Sequence, residues 1–399
     1  MNKSDAVPAP SPPVPARRVE TVDLLRGLVM VVMALDHTRD FFHDPAVHGI
    51  DPTNLAQTTP AIFLTRWVTH FCAPVFCFLA GTAVSLSARR GRNLGRLSGF
   101  LVTRGAWLIL VETTVLYWVM TWTLPLHFDW GLILWALGWS MIVLAGLIHL
   151  PRRVVAGFGL ALILGHNAFD SVKPAAWGSW SWLWQVLHVQ SVIPVTPTFN
   201  FLVAYPLVPW LGVMAAGYTF GAVFELDATL RKKWLVGLGL GLIAGFVLLR
   251  FSNTYGDPRP WSRQSGETLT VLSFLNCAKY PPSLCFLLMT LGPAILLLGL
   301  LEGRPWVRLK PLQVFGRVPF FYYVVHITLI HGLCALLNAL RFGSPVVARN
   351  AAGVLPAGSG VGLATVYLIW IAVVAALYPL CRWFAGVKAR RREAWLSYF

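Results

Sequence analysis

Only six cysteines occur in this 399-residue chain, and none has the paired spacing of a metal-ligand motif, so neither a disulfide framework nor a zinc site is indicated. Cys72, Cys77, Cys285, Cys334 and Cys381 fall inside apolar stretches instead. The segment before Arg17 has no apolar core, so residues 1–16 read as a Pro- and Ala-rich disordered tail and not as a cleaved signal peptide. No convincing internal repeat is present, which weakens the case for a transporter built from inverted halves. Acidic side chains are scarce, 16 against 32 Lys and Arg. The resulting charge of +16 nevertheless forms no continuous patch, because the basic residues sit between hydrophobic runs, and nucleic acid is not an expected partner.

What the chain does contain is apolar surface: 56% of residues are hydrophobic, and several stretches approach the roughly 20 apolar residues that cross a bilayer as helix. Eighteen Trp fit such a protein, since indole rings collect where chain passes from lipid to water. The expectation is an all-α, polytopic membrane protein with ten spans: 21–42, 59–86, 98–124, 130–149, 153–170, 200–224, 234–251, 281–301, 313–339 and 361–384. Basic residues alternate between the loops. Arg89, Arg90, Arg92 and Arg96, then Arg152 and Arg153, then Arg231, Lys232 and Lys233, then Arg304, Arg308 and Lys310 all share one side with the two termini. Of the 32 basic residues, 23 fall there and nine on the other side, which assigns both termini to the cytoplasm. The organisation expected is one membrane domain over 17–387 with a basic cytoplasmic tail at 388–399.

Within TVDLLRGLVMVVMALDHTRDFF, Arg26 and His37 are eleven residues apart. Eleven steps close about three helical turns, so both side chains share one face about 16 Å apart. Ionisable groups inside a bilayer are costly, and this pair points to a path from one membrane surface into the interior; a snorkelling Arg26 and a helix-capping His37 are the plain alternative. Asp36 and Asp40 flank the imidazole. Arg66, His70, His166 and His326, with His331, are expected to line an outward-facing polar funnel, although taken singly His70, His326 and His331 read more plainly as interhelical hydrogen bonders. Glu112, midway through the third span, needs a proton or a partner on another helix. Arg26, Arg104 and Arg317 are drawn into the spans and suit phosphate binding through their planar forks. Trp177, Trp180, Trp182 and Trp184 fit an amphipathic interfacial segment better than a sugar-stacking platform. The ten His show no metal-ligand spacing, and no metal is expected.

Five stretches, VDLLRGLVMVVMALDHTRDFF, FLTRWVTHFCAPVFCFLAG, YPLVPWLGVMAAGYTFG, NCAKYPPSLCFLLMTLGP and FGRVPFFYYVVHITLIH, resemble the bacterial membrane proteins related to heparan-alpha-glucosaminide N-acetyltransferase, within the wider transmembrane acyltransferase superfamily. The Arg, ten residues, His spacing also resembles the acyltransferase type three family. The resemblance implies a multi-pass location in the bacterial inner membrane, acetyl-CoA or another acyl-CoA as a cytoplasmic donor substrate, no permanently bound cofactor, and a glycan or related envelope acceptor on the far side. It implies that His37 is essential for transfer; an imidazole suits the role of general base, and Asp40, one turn on, or Asp36 is placed to raise its basicity. In the lysosomal heparan enzymes the matching position looks to be Asn and the proposed catalytic His lies in the following loop, which maps to His48, or else to His43. A proton-coupled transporter of a small anion, or a non-catalytic subunit of an envelope-polysaccharide system, is the alternative; oligomeric state is not legible.

Overall fold

The computed structural model describes residues 19–89, 91, 93–303, 309–343, 345, 358–391 and 393–398. The 1–16 tail and Arg90, Arg92, Arg304, Arg308 and Arg392 of the basic clusters lie outside them. Helix α1 (Glu20–Phe42) is central, and a short α2 (Asp44–Val47) follows it. The second span is made of α3 (Pro60–Thr69) and α4 (Cys72–Ala88), and the third of α5 (Leu94–Val111), a π-helical turn at Glu112–Leu116 and α6 (Tyr117–Thr121). Then come α7 (Ile133–Leu147), α8 (Arg152–Gly165), α9 (Ser181–His188), α10 (Leu207–Phe220), α11 (Ala228–Ser252) and α12 (Glu267–Leu275). Last are α13 (Leu284–Leu301), α14 (Lys310–Arg317), α15 (Pro319–Phe342) and α16 (Leu363–Arg390).

The molecule is a mostly helical, multi-pass membrane protein. Among the described residues, seven helices are long and apolar enough to cross a bilayer, or eight if the bent pair of Arg152–Phe169 and Pro174–His188 is one span. Helix α1 carries too many charges to pass as a lipid-facing span and is instead enclosed by α3, α4 and α13 to α16. By contrast α11 and α16 leave most of their apolar surface outward, as Leu248, Leu368 and Ile371 show.

Of the ten expected spans, 21–42 and 130–149 are helical as α1 and α7 but fall outside those seven, and two others need correction. Residues 199–203 are strand and not the start of a helix: β3 (Phe199–Val203) pairs parallel with β1 (Phe128–Gly131) and antiparallel with β2 (Ser191–Thr196), and α10 begins only after Pro206. The expected 313–339 span is broken at Val318, because Pro319 disfavours helix in the residue before it. The expected C-terminal tail also shortens, since α16 continues through Lys388 to Arg390.

The break at Val318 lets α14 lie flat on α1. A Cβ on Gly27 would stand 1.8 Å from the Leu312 carbonyl oxygen, and one on Gly316 would stand 2.0 Å from that of Asp23. Small residues of this kind let helix backbones approach in membranes, where packing replaces the hydrophobic drive. The basic loops gather at one end of the bundle: Glu225 pairs with both Arg89 and Arg152, and Arg231 with Glu302. The three-stranded sheet and the 253–283 loop gather at the other, where Asn276 donates to the Thr53 carbonyl at 3.0 Å.

Gly27→Val should therefore lower stability by about 1–3 kcal/mol or more, as overpacking of a close backbone contact does. Gly146→Val, on α7 with nothing within 4 Å of its Cβ, should change the melting temperature in detergent far less. Equal melting temperatures for the two variants would show that the α1–α14 seam is loose.

Candidate functional site

At the basic end, a cavity of about 400 Å³ opens between α1, α4, α5, α7, α14 and α15. Arg26, Arg104, Arg317 and Lys388 line it, so the three arginines singled out by sequence do meet, and a lysine from α16 joins them. The α1–α14 seam sets Arg26, which donates to the Gly316 carbonyl at 3.3 Å and pairs with Asp23 at 3.4 Å. Arg104 lies over the Phe100 ring, 5.9 Å from its centroid. Met30, Met33, Leu108, Leu134 and Met141 supply apolar walls, and Tyr323 also lines the cavity.

Tyr323 is where the cavity meets the titratable groups. Its ring lies 6.1 Å from that of His37 and 5.8 Å from that of His326. His37 Nδ1 and His326 Nε2 are 2.7 Å apart, and His326 Nδ1 is 2.7 Å from the Tyr322 carbonyl oxygen. A carbonyl can only accept, so His326 Nδ1 carries the proton and, in the neutral ring, its Nε2 accepts from His37 Nδ1. The hydrogen-bond pattern thus makes Nε2 the basic nitrogen of His37.

Asp36 and Asp40, expected to raise the basicity of His37, are both taken up by guanidinium groups. Asp36 accepts from Arg39 at 3.0 Å and is clamped on its other oxygen by Arg66, while Asp40 accepts from Arg39 at 2.7 Å. The reason is charge: a guanidinium with 3% side-chain exposure claims a carboxylate before a neutral imidazole can. Arg66 is therefore held to Asp36. His70 is buried beside it, tilted against Phe286 at 5.3 Å. Lys279 and Tyr280 complete this group, and Lys279 stands 5.2 Å from the Tyr280 ring centroid. Burial opposes ionisation of the Tyr280 phenol, but Lys279 and Arg66 outweigh it and bring it below its ordinary value.

Other residues lie elsewhere. His48 is on the surface, bonded through Nδ1 to the Asp44 carbonyl oxygen at 2.8 Å, and His43 is buried where its backbone pairs with Val361. His166 does not join His37; it packs against His188 and Asp170 beneath Trp184. His331 donates to the Val119 carbonyl and stacks on Trp122, the interhelical bond expected of it. Glu112 finds its partner on another helix: its Oε2 accepts from the Leu134 and Trp135 N–H groups at 2.6 and 3.0 Å, capping α7. Arg39, Lys279, Tyr323 and Lys388 escaped the sequence reading as site residues. Arg39 and Lys279 do stand inside the resembling stretches, whereas nothing in the sequence brings Lys388 to the cavity.

A family model described as heparan-alpha-glucosaminide N-acetyltransferase, catalytic, matches residues 18–244. The chain belongs to that family. The match holds Arg26, His37, Arg66 and Arg104, and ends within α11, so Lys279, Arg317 and His326 lie beyond it, as do two of the five resembling stretches. No curated protein matches the chain. Membership of the heparan-alpha-glucosaminide N-acetyltransferase family makes this a transmembrane acetyltransferase-like protein, whose α1 supplies residues to the basic cavity and to the histidine pair near Tyr323.

Asp36→Asn should cost about 3–5 kcal/mol, since it takes the counter-charge from the buried Arg66 and leaves Arg39 with Asp40 alone. Asp40→Asn, at a side chain 27% exposed, should cost under about 1 kcal/mol, because Arg39 keeps Asp36. Thermal unfolding of both variants in the same detergent measures the difference.

Proposed function

We propose that the protein transfers an acetyl or other acyl group from a cytoplasmic coenzyme A thioester, across a bacterial plasma membrane, to a hydroxyl or amine of an extracytoplasmic glycan or related acceptor. One observation carries the reading: a cavity at the basic end is lined by Arg26, Arg104, Arg317 and Lys388, by apolar walls and by Tyr323, whose ring lies near those of the His37–His326 pair. Four cations suit the phosphates of coenzyme A, and an apolar shaft suits an uncharged pantetheine arm. The 23 to nine division of basic residues supports the cytoplasm as the side of the basic end.

In the reaction His37 Nε2 accepts the proton of the acceptor hydroxyl or amine as that oxygen or nitrogen attacks the thioester carbonyl. The bond to sulfur breaks, the proton returns to the leaving thiolate, and the products are acylated acceptor and coenzyme A. His326, fixed by the Tyr322 carbonyl, is a positioning residue that holds the His37 ring in the tautomer with a basic Nε2. A proton-coupled transporter would draw on Glu112 as a relay, and the use of that carboxylate as a cap for α7 speaks against it.

Purified protein in sealed proteoliposomes, given labelled acetyl-CoA on the side of the Lys388 end and envelope glycan on the other, should yield labelled acceptor. His37→Ala should reduce the rate by ~10² to 10⁴ with little change in melting temperature, the usual loss of a general base. A dead His48→Ala beside an active His37→Ala would make the loop histidine the base. Solute uptake with no acyl transfer would sink the reading altogether.

Arg26→Ala and Arg104→Ala should raise KM for the donor while leaving kcat within about threefold, because contacts remote from the thioester contribute uniform binding. Unchanged coenzyme A affinity in both variants, measured by calorimetry, would remove the cavity from the donor site.

A further inference from the structure

The bend between α8 and α9 brings together three side chains that the sequence keeps up to 22 residues apart. His166 follows the last turn of α8, Asp170 follows four residues later, and His188 ends α9. One potential ligand atom from each lies within 4.8 Å of the others, and His188 Nε2 is 3.3 Å from Asp170 Oδ1. Tetrahedral zinc with N and O ligands at about 2.0–2.1 Å sets its ligand atoms about 3.3–3.4 Å apart, so His188 and Asp170 already stand at that edge length.

Both histidines are 3% exposed, and neither ring nitrogen of His166 has a hydrogen-bond partner, nor does His188 Nε2. Leaving such groups unsatisfied costs about 1–3 kcal/mol apiece, which a bound ion would relieve. The surroundings fit a metal: Asn167 donates to the second oxygen of Asp170 at 2.8 Å, orienting the carboxylate as outer partners of metal ligands do. Trp184 covers His188 at 4.9 Å and is itself stacked on Trp177. Access remains through Asp170, whose side chain is 22% exposed.

We propose that His166, Asp170 and His188 bind one zinc ion, with a fourth position open to water. Two imidazoles and one carboxylate favour zinc over the oxygen-seeking calcium and magnesium. The ion clips a helix pair bent by 113° and fastens the start of the β2–β3 hairpin to the end of α8. Asn167 extends the clip to the core, because its Oδ1 accepts from the Leu284 N–H at the start of α13 at 2.8 Å. The site thereby revises the sequence expectation of no metal, and it does not depend on the acyl-transfer reading.

Tag-free protein purified in detergent, loaded with zinc and desalted, should retain one zinc per chain by elemental analysis and melt at a higher temperature than chelator-treated protein. His166→Ala and His188→Ala should each lose about tenfold or more in zinc affinity against a chromophoric chelator. Asp170→Asn, nearly isosteric and thus safe for folding, should also bind more weakly. Cobalt(II) in place of zinc should give the intense visible absorption of a tetrahedral N/O site in the wild type and not in these variants. Zinc content no higher in the wild type than in Asp170→Asn, or no tetrahedral cobalt spectrum, would overturn the proposal and leave the pocket to ordered water.

Discussion

A helix that carries Asp23, Arg26, Asp36, His37, Arg39 and Asp40 cannot face lipid, and the rest of the molecule is arranged around that constraint. Each charge on α1 must find a partner within the protein, so α1 is drawn to the centre while α11 and α16 take the lipid-facing positions. The partners come from distant segments: Arg66 from α3 for Asp36, the Gly316 carbonyl from α14 for Arg26, and His326 from α15 for His37. Burying charges at this density lowers stability unless the pairing is complete. The clustering of Arg39, Arg66 and Lys279 about Asp36 and Asp40 is therefore a condition of the fold as well as a feature of the site.

The same constraint produces a site with two chemically distinct regions along one helix. Near its start α1 meets α14 backbone to backbone, which holds Arg26 beside Arg317 in the cavity. Three turns later it presents His37 to His326. Between them the cavity walls carry methionine and leucine, which offer a flexible chain no polar partner to stop at. Glu112 shows the same economy elsewhere: the π-turn of the third span directs its carboxylate to the open N–H groups of α7.

Hydropathy was enough to find the seven described helices that are long and apolar enough to cross a bilayer, because a span must be about 20 apolar residues whatever it packs against. The errors fell where local chemistry intervened. Phe199–Val203 is apolar enough to pass for helix, but it is rich in β-formers and pairs with β1 and β2. The α14–α15 break was written in the sequence as Pro319, and its consequence, a short helix lying on α1, depends on two glycines that meet only in space. Helical periodicity likewise predicted that Arg26 and His37 share a face, and the cavity running from one towards the other agrees with it.

The sequence by itself determined the class of protein, most of its long apolar helices, its family and the unusual charge of α1, since these depend on composition, periodicity and local motif. Which groups pair was decided only by the tertiary structure. Asp36 and Asp40 flank His37 in sequence yet turn to Arg39 and Arg66, because a buried guanidinium attracts a carboxylate more strongly than a neutral ring does. His326 reaches His37 across 289 positions, Lys388 reaches the cavity from the far end of the chain, and His188 meets His166 around a bend. No spacing rule reports contacts of that range, because they are set by how helices cross and where chain breaks let them fold back.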